Sequence, residues 1–540
     1  MLIHFSNARV YADVFSDAGS NLWTYDGFVI DELQAAELVG SGTEVETVDL
    51  GGQWVVPAFR DGHCHPLFAA REGMGLHLTG LDSIEAIQAA LFAYRTENQA
   101  RNWIDAAVYD RGLTAGRELE AASLLDSVVA DIPVVLHADD HHTLWVNTAA
   151  LHAAGLVSPE AVAQAQAKIR HGGIDVDVTG NATGILREWE AMSLVLDRAP
   201  QPSPAEDLVA LERAQQLLLS NGVVAVQEAW IDRGMAEVYL EAARLGRLKL
   251  RVDLAFRFAP GEWRENLDYF MEIRRQVAEL DDRLLTANTA KFFSDGVFGS
   301  STAHVHQPYE PASPAAGSHG QPVWPKDEFL EATRVASDLG FALHIHAIGD
   351  AGVSDALDAI EAAGAPEGCT VAHTELVRAG EFRRFEQLGV TANFEPFWAQ
   401  KNSMLLSCVP QLGEKRIDRM YQMRDAIEAG VNVSFGSDWP VSSFVPLQGI
   451  QVGVTRAPIG SLEPSWAPEQ SVTTREAFAA YSVAVARQML ELEVGTLKPG
   501  QKADFIVLDA DPFATPEREL AAIRVMATFS SAVQLHPVSV

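Results

Sequence analysis

Three cysteines are too few and too far apart to staple a chain of 540 residues. Cys64, Cys369 and Cys408 make neither a disulfide framework nor a thiolate metal cage, and a reducing cytoplasm is the plain expectation. No uncharged apolar stretch approaches the roughly 18 residues of a membrane-spanning helix. The first residues, Met1-Leu-Ile-His-Phe-Ser-Asn, lack the basic region, apolar core and small-residue cleavage site of a secretory signal. Basic residues are scarce beside acidic ones, 40 Lys and Arg against 73 Asp and Glu, for a formal net charge of −33. Such a surface repels nucleic acid and anionic lipid, so neither is an expected partner. Most of the charge is accounted for by solvation of a large surface. Internal repeats and low-complexity linkers are absent as well.

What remains is a globular composition, 48% hydrophobic, in a chain long enough for a large barrel and something smaller. Helical patterns alternate with short apolar strands. Residues 206–220 carry apolar positions at helical spacing and stop at Asn221-Gly222, and a buried strand over 223–228 follows. Residues 327–339 repeat the theme, ended by Gly340 before a strand over 341–347. Alternation of this kind predicts a parallel sheet with helices outside it. The apolar strands fall at 54–59, 223–228, 248–256, 287–294, 341–347, 370–374, 390–395 and 431–437. Eight suit an α/β fold of the closed (β/α)8, TIM-like kind, with 66–220 inserted after the first strand. A further strand-like run, Ile132-Pro-Val-Val-Leu-His137, is assigned to that insertion.

The chain ends read as a second unit. Residues 1–52 are short β pieces with turns, and 491–540 contain a turn and strand around Gly495-Thr-Leu-Lys-Pro-Gly. Together they predict one small β-sandwich beside a barrel domain over 53–490. Thr473-Thr-Arg-Glu476 is a capping box for a helix reaching Leu490.

His63-Cys64-His65 closes the first strand, where period-two geometry points both imidazoles to one side. Alone, such a pair is as readily two ordinary strand-end histidines. Lys291 lies in the fourth strand, His344 and His346 in the fifth, His373 closes the sixth and Asp438 follows the eighth. Each has a bland role available: a snorkelling lysine, a core histidine, a helix cap. The C-terminal strand ends of a (β/α)8 barrel carry its active site, however, and five such coincidences together point to a metal site.

Pro57-Ala-Phe-Arg-Asp61-Gly-His63-Cys-His65-Pro66 resembles the PGxxDxHxHP signature of the amidohydrolase superfamily. The runs Lys291 to Ala303, His346-Ala-Ile-Gly-Asp350 and Gly436-Ser-Asp-Trp-Pro440 are similar to its YtcJ-like branch, amidohydrolase family 3, which includes N-substituted formamide deformylase. Asp140-His-His-Thr-Leu-Trp145-Val-Asn147 and Gly184-Ile-Leu-Arg-Glu188 match too. Ala58 departs from the usual glycine, and Ser482-Val483 from the usual Thr-x-Asn; neither touches a ligand. The resemblance implies one divalent metal, zinc by preference, held by His63, His65 and Asp438, and a second held by His346 and His373. Lys291 would bridge them as N6-carboxylysine, a carbamate formed with CO2. Asp438 would move the proton from the attacking water to the leaving nitrogen, with His142, Trp145, Asn147, Arg187, Glu188 and Trp439 as substrate contacts. His344 is expected behind the ligands rather than among them.

The implied reaction is hydrolysis of a C–N bond in a small-molecule amide or N-acyl or N-formyl amine. A deaminase or cyclic-amide hydrolase is the nearest alternative, and a metal-binding barrel without turnover is another. If Lys291 stays uncarboxylated, one ion rather than two is the fallback. Substrate and metal identity are not written in the sequence, and a homodimer is the commonest assembly for such a chain.

Overall fold

The computed structural model describes residues 1–280 and 283–536; the end of the expected C-terminal piece, 537–540, lies outside the described residues. The chain divides into two compact units, one of Met1–Pro66, Glu212–Ser294 and Trp324–Val540, the other of Leu67–Leu211 and Asp295–Val323.

The first unit is built on eight parallel strands in chain order: β1 (Phe59–Cys64), β2 (Val223–Ile231), β3 (Arg251–Arg257), β4 (Leu285–Phe293), β5 (Ala342–Ala347), β6 (Thr370–His373), β7 (Thr391–Phe394) and β8 (Val433–Phe435). Every residue of β1, β6, β7 and β8 is buried, as expected of a parallel sheet covered on both faces. The seam between β8 and β1 is drawn together by backbone and side chain. The amides of Ser437 and Asp438 donate to the His63 carbonyl at 3.2 and 2.7 Å. Ser434 Oγ donates to Gln488 Oε1 at 2.6 Å, and Gln488 Nε2 donates to the Gly62 carbonyl at 2.7 Å. The result is the TIM-like barrel predicted from the strand count. Its helices end where expected; the one over Lys326–Asp338 gives way at Gly340, whose φ of +79° a side chain would oppose.

Two expected elements are corrected. The run 54–59 is not the first barrel strand. Trp54–Pro57 pairs antiparallel with Phe505–Leu508 in an outer sheet, and the barrel strand begins at Phe59. The strand was missed because Arg60 and Asp61 look like the end of an apolar run, whereas both are buried and paired. The helix to Leu490 is two pieces, Thr474–Ala480 and Val483–Gln488. Its capping box is present, with Thr473 Oγ1 accepting from the Glu476 amide. The break follows because the Tyr481 carbonyl accepts from the Arg60 amide at 2.6 Å, and Ser482 Oγ donates back to the Phe478 carbonyl at 2.6 Å.

Both chain ends form the β-sandwich. One sheet holds Leu2–Ser6, Leu22–Tyr25, Phe28–Ile30 and Val45–Asp49; the other holds Arg9–Val10, Trp54–Pro57, Phe505–Leu508, Val525–Ser530 and Val533–His536. Phe505 and Phe529 stack at 4.4 Å with Phe5 edge-on to both. Asp504 joins this sheet to the barrel. It accepts from Arg60 Nη2 on β1 at 2.9 Å and from Arg251 Nη2 on β3 at 3.1 Å, with all three side chains buried. Burial alone would raise the Asp504 pKa, but the two guanidiniums hold it down to about 2. Because that value lies below the unfolded one, the pair stabilises fully above pH ~4, and about 2 kcal/mol is lost as pH falls toward ~2. Asp504→Ala would leave the buried Arg251 guanidinium without a carboxylate and Arg60 with Glu491 alone, with an expected cost of about 3–5 kcal/mol in equilibrium urea unfolding at neutral pH. A loss below about 1 kcal/mol would show that water already solvates the cluster.

The second unit is an insertion after β1, to which residues 295–323 also belong. Its six-stranded sheet runs Gly173–Val176, Ala182–Arg187, Thr143–Val146, Val134–Ala138, Ile104–Tyr109, Leu76–His77. The run 132–137 is indeed one of its strands rather than a barrel strand. Ile87, Leu91, Tyr109, Leu136 and Trp145 pack beneath it. Among the described residues no helix is long and apolar enough to cross a membrane.

Candidate metal centre and active site

Parallel register brings the chemistry-bearing residues to one end of the barrel. Lys291 on β4 lies opposite His344 on β5, Phe293 opposite His346, and Ala347 opposite His373 on β6. One ligand atom each from His63, His65 and Asp438 lies within 4.8 Å of the others. His65 Nε2 is 2.9 Å and His63 Nε2 3.4 Å from Asp438 Oδ1. Lys291 Nζ is 3.5 Å from His63 Nε2. The ring of His373 lies 4.7 Å from that of His63 and 4.5 Å from that of His346, centre to centre. Thus His63, His65, Lys291, His346, His373 and Asp438 come together at the strand ends.

Local backbone makes this possible. Asp61 accepts from the amides of His63 and Ser437 at 3.1 and 3.0 Å, tying the ends of β1 and β8 to one carboxylate. His373 and Asp438 sit at φ +73° and +50°, left-handed conformations that cost side-chain-bearing residues of order 1–3 kcal/mol and gather at functional sites. At Gly436 a Cβ would stand 2.8 Å from the Cβ and amide nitrogen of His63. Gly436→Ala is therefore expected to lower stability by about 1–3 kcal/mol and to weaken metal retention by pushing His63 aside. Thermal unfolding and elemental analysis of one preparation check both; an unshifted midpoint would refute the close approach.

Sequence reasoning did not single out Glu228, Glu395 or Trp398. Glu228 Oε1 lies 3.5 Å from His65 Nδ1, and Glu395 Oε2 lies 2.9 Å from His373 Nδ1. Trp398 stacks on His373 at 5.5 Å. The signal for the two glutamates was present: each ends an otherwise apolar strand pattern on the same side of the barrel as the histidines. His344 Nε2 lies 2.8 Å from His63 Nδ1, which leaves His63 Nε2 facing Lys291 and Asp438.

The electrostatics suit a cation. Burial lowers the Lys291 pKa to about 7, against the opposing pull of Asp438 and Glu395, so the amine loses its charge readily. Burial would lower the His65 pKa, yet Asp438 and Glu228 raise it to about 9. Burial likewise opposes ionisation of Asp438, but hydrogen bonds from His63 and His65 hold its pKa well below the carboxylate range. The negative potential that retains a proton on His65 also attracts a metal ion. Buried and without hydrogen-bond partners, Glu228 Oε1 and Glu395 Oε1 offer further lone pairs. Imidazoles and a carboxylate at these spacings fit zinc and related divalent ions.

The other predicted residues divide. Trp439 packs on Phe444 at 4.8 Å, and its carbonyl accepts from the His65 amide at 2.9 Å. The rest belong to the second unit. His142 Nδ1 lies 2.6 Å from Glu188 Oε2, and Thr302 Oγ1 donates to Glu188 Oε1. Arg187 Nη2 donates to Asp175 at 2.8 Å. Trp145 is fully buried, donating to the Ala121 carbonyl at 2.6 Å. Asn147 caps the helix Thr148–Ala153 and donates to the Val129 and Ile132 carbonyls.

A profile of the amidohydrolase family matches residues 46–534. The chain belongs to the amidohydrolase family. Among relatives of this amidohydrolase are Protein LONG AFTER FAR-RED 3 of Arabidopsis thaliana, 27% identical over 92% of this chain and 85% of that one. The putative amidohydrolase YtcJ of Bacillus subtilis (strain 168) is 25% identical over 90% and 89%, and the N-substituted formamide deformylase of Arthrobacter pascens 24% identical over 92% of each. An uncharacterized metal-dependent hydrolase of Pyrococcus horikoshii superposes with a TM-score of 0.76 at 25% identity, over 96% of this chain and 99% of that one. Family membership and this likeness place the chain among the hydrolases of the barrel fold.

Proposed function

We propose that this amidohydrolase cleaves the C–N bond of a small-molecule amide or N-acyl or N-formyl amine. The observation that carries this reading is the convergence of His63, His65 and Asp438 within 4.8 Å at the strand ends. His63, His65 and Asp438 would hold one divalent ion and His346 and His373 a second, with Lys291 between them. Such an ion, zinc for example, supplies Lewis acidity that lowers the pKa of a coordinated water to about 7 and polarises the amide carbonyl.

The chain's own residues do the rest. Asp438, ionised by its histidine neighbours, accepts the proton of the attacking water and passes it to the leaving nitrogen, which otherwise departs poorly as an amine anion. Lys291, with its depressed pKa, presents a neutral amine to CO2. The new N–C bond would form with loss of one proton, giving an anionic carbamate that would help hold the ions. His344 and Glu395 fix the orientation of His63 and His373. His142, Glu188 and Arg187, of the second unit, and Trp439, of the first, remain the proposed substrate contacts; Trp145 and Asn147 would act by supporting the first three. Burial of all three free cysteines suits a reducing, cytoplasmic setting.

The test is a panel of N-formyl amines, N-acyl amines, cyclic amides and aminated heterocycles, with bound metal quantified alongside. Release of a free amine and an acid is the expected result. Ammonia from an aminated ring would move the reading to a deaminase, and a single ring-opened acid to a cyclic-amide hydrolase. Inertness of the fully metal-loaded protein toward the whole panel would overturn it.

A further inference from the structure

Within the second unit, the side chains of Glu72, His137 and His141 meet, one ligand atom from each lying within 4.8 Å of the others. Glu72 ends the helix Pro66–Glu72, His137 lies on the strand Val134–Ala138, and His141 is in the turn that follows. All three side chains are at least nine-tenths buried. Their polar atoms are poorly served. His141 Nδ1 is 3.1 Å from Glu72 Oε1, but the geometry makes no hydrogen bond, and neither ring nitrogen of His141 has a hydrogen-bond partner. Glu72 Oε1 and His137 Nδ1 have none either. Arg71, next in sequence, is committed to Asp207 at 2.7 and 2.9 Å and does not neutralise Glu72.

Buried polar atoms left without partners are costly, and such a group of them calls for a compensating partner. The backbone adds a second oddity, since His141 is held at φ +51°, where glycine would be the relaxed choice. The fold tolerates that strain and so presents an imidazole to this spot. A third feature is the surroundings of His137. Its Nε2 lies 3.0 Å from Asp105 Oδ1 on the neighbouring strand, and its Nδ1 is buried without a hydrogen-bond partner. A carboxylate beside an imidazole raises the ring's basicity toward a metal. Phe68 packs against both rings, at 6.3 and 5.8 Å, and limits water there.

We propose that Glu72, His137 and His141 form a second metal site, specific for a zinc-type divalent transition ion, that stabilises the inserted unit. Two imidazoles and one carboxylate are a zinc donor set with a fourth position left for water. One cation would satisfy the lone pairs of all three side chains at once. The site shares no residue with the barrel centre and does not depend on the barrel's chemistry.

The test reads zinc alone, by elemental analysis after chelator stripping and refilling with Zn2+. The full-length chain carrying His63→Ala and His65→Ala serves as background, so that barrel binding is reduced and held constant. Adding His141→Gly should remove one equivalent of zinc. The glycine suits the positive φ, so the metal-free fold should be as stable as before or more so. Glu72→Gln should give the same loss, and Asp105→Asn should weaken zinc binding by about 10–100-fold without unfolding the unit. Zinc should also raise the unfolding midpoint of the background chain and not that of the His141→Gly chain. Equal zinc content with and without His141→Gly, as expected if only water bridges these groups, would overturn the site.

Discussion

Asp438→Asn is expected to lower kcat/KM by about 10²–10⁴-fold through loss of proton transfer alone, and further if the metal is released as well. The substitution keeps the size and planarity of the side chain but removes its charge. Asp438 Oδ1 is the atom that His65 Nε2 approaches at 2.9 Å and His63 Nε2 at 3.4 Å, so the change strikes the ligand set and the proton acceptor together. Kinetics on whichever amide the panel identifies, with zinc measured on the same sample, separate the two roles. Metal retained with turnover lost assigns Asp438 to the proton; metal lost as well assigns it to both. Activity within about threefold of the parent would remove Asp438 from the mechanism altogether, since threefold is below any proton-transfer contribution.

Why that residue could be found from sequence is instructive. Asp438 follows an apolar strand pattern, and a barrel places the ends of its parallel strands around one mouth, so residues hundreds of positions apart become neighbours through topology alone. His63, Lys291, His346 and His373 were legible for the same reason. Strand existence was equally accessible, because strands buried on both faces read as unbroken apolar runs. Their boundaries were not. The apolar run before Arg60 belongs to the outer sheet and the barrel strand runs on through Arg60 and Asp61; Arg60 is paired there with Asp504 and Glu491, more than 400 positions away. No local pattern reports that pairing.

The attachment of 295–323 to the inserted unit was hidden for a related cause. Those residues continue directly from β4 and have no helix or strand of their own, so periodicity offers nothing to read. Glu228 and Glu395 illustrate a different limit. Each was visible as an acidic residue at a strand end, yet an acidic residue there is also an ordinary way to finish a strand. Only their approach to His65 and His373 gives them meaning. Trp145 and Asn147 show the converse: their side chains are occupied by carbonyls and amides of their own unit.

Replacing Lys291 should have the other large effect. Lys291→Ala removes the amine at the centre of the ligand group, 3.5 Å from His63 Nε2. A turnover loss of about 10²-fold or more is expected from removal of one electrostatic contributor at a buried site. Metal content should fall to one ion or none. Two physical roles for the lysine can be told apart. A charged ammonium would act by its positive charge, but burial holds its pKa near 7, and a cation beside metal ions is disfavoured further. A carbamate acts through two anionic oxygens. Truncation to alanine leaves room for a small carboxylate, so acetate or propionate should restore part of the activity and the second metal, whereas methylamine should not. Rescue by the amine instead would assign the role to positive charge. Unchanged turnover with two ions retained would show that the histidines and Asp438 hold the metals unaided, and the bridge would have to be abandoned.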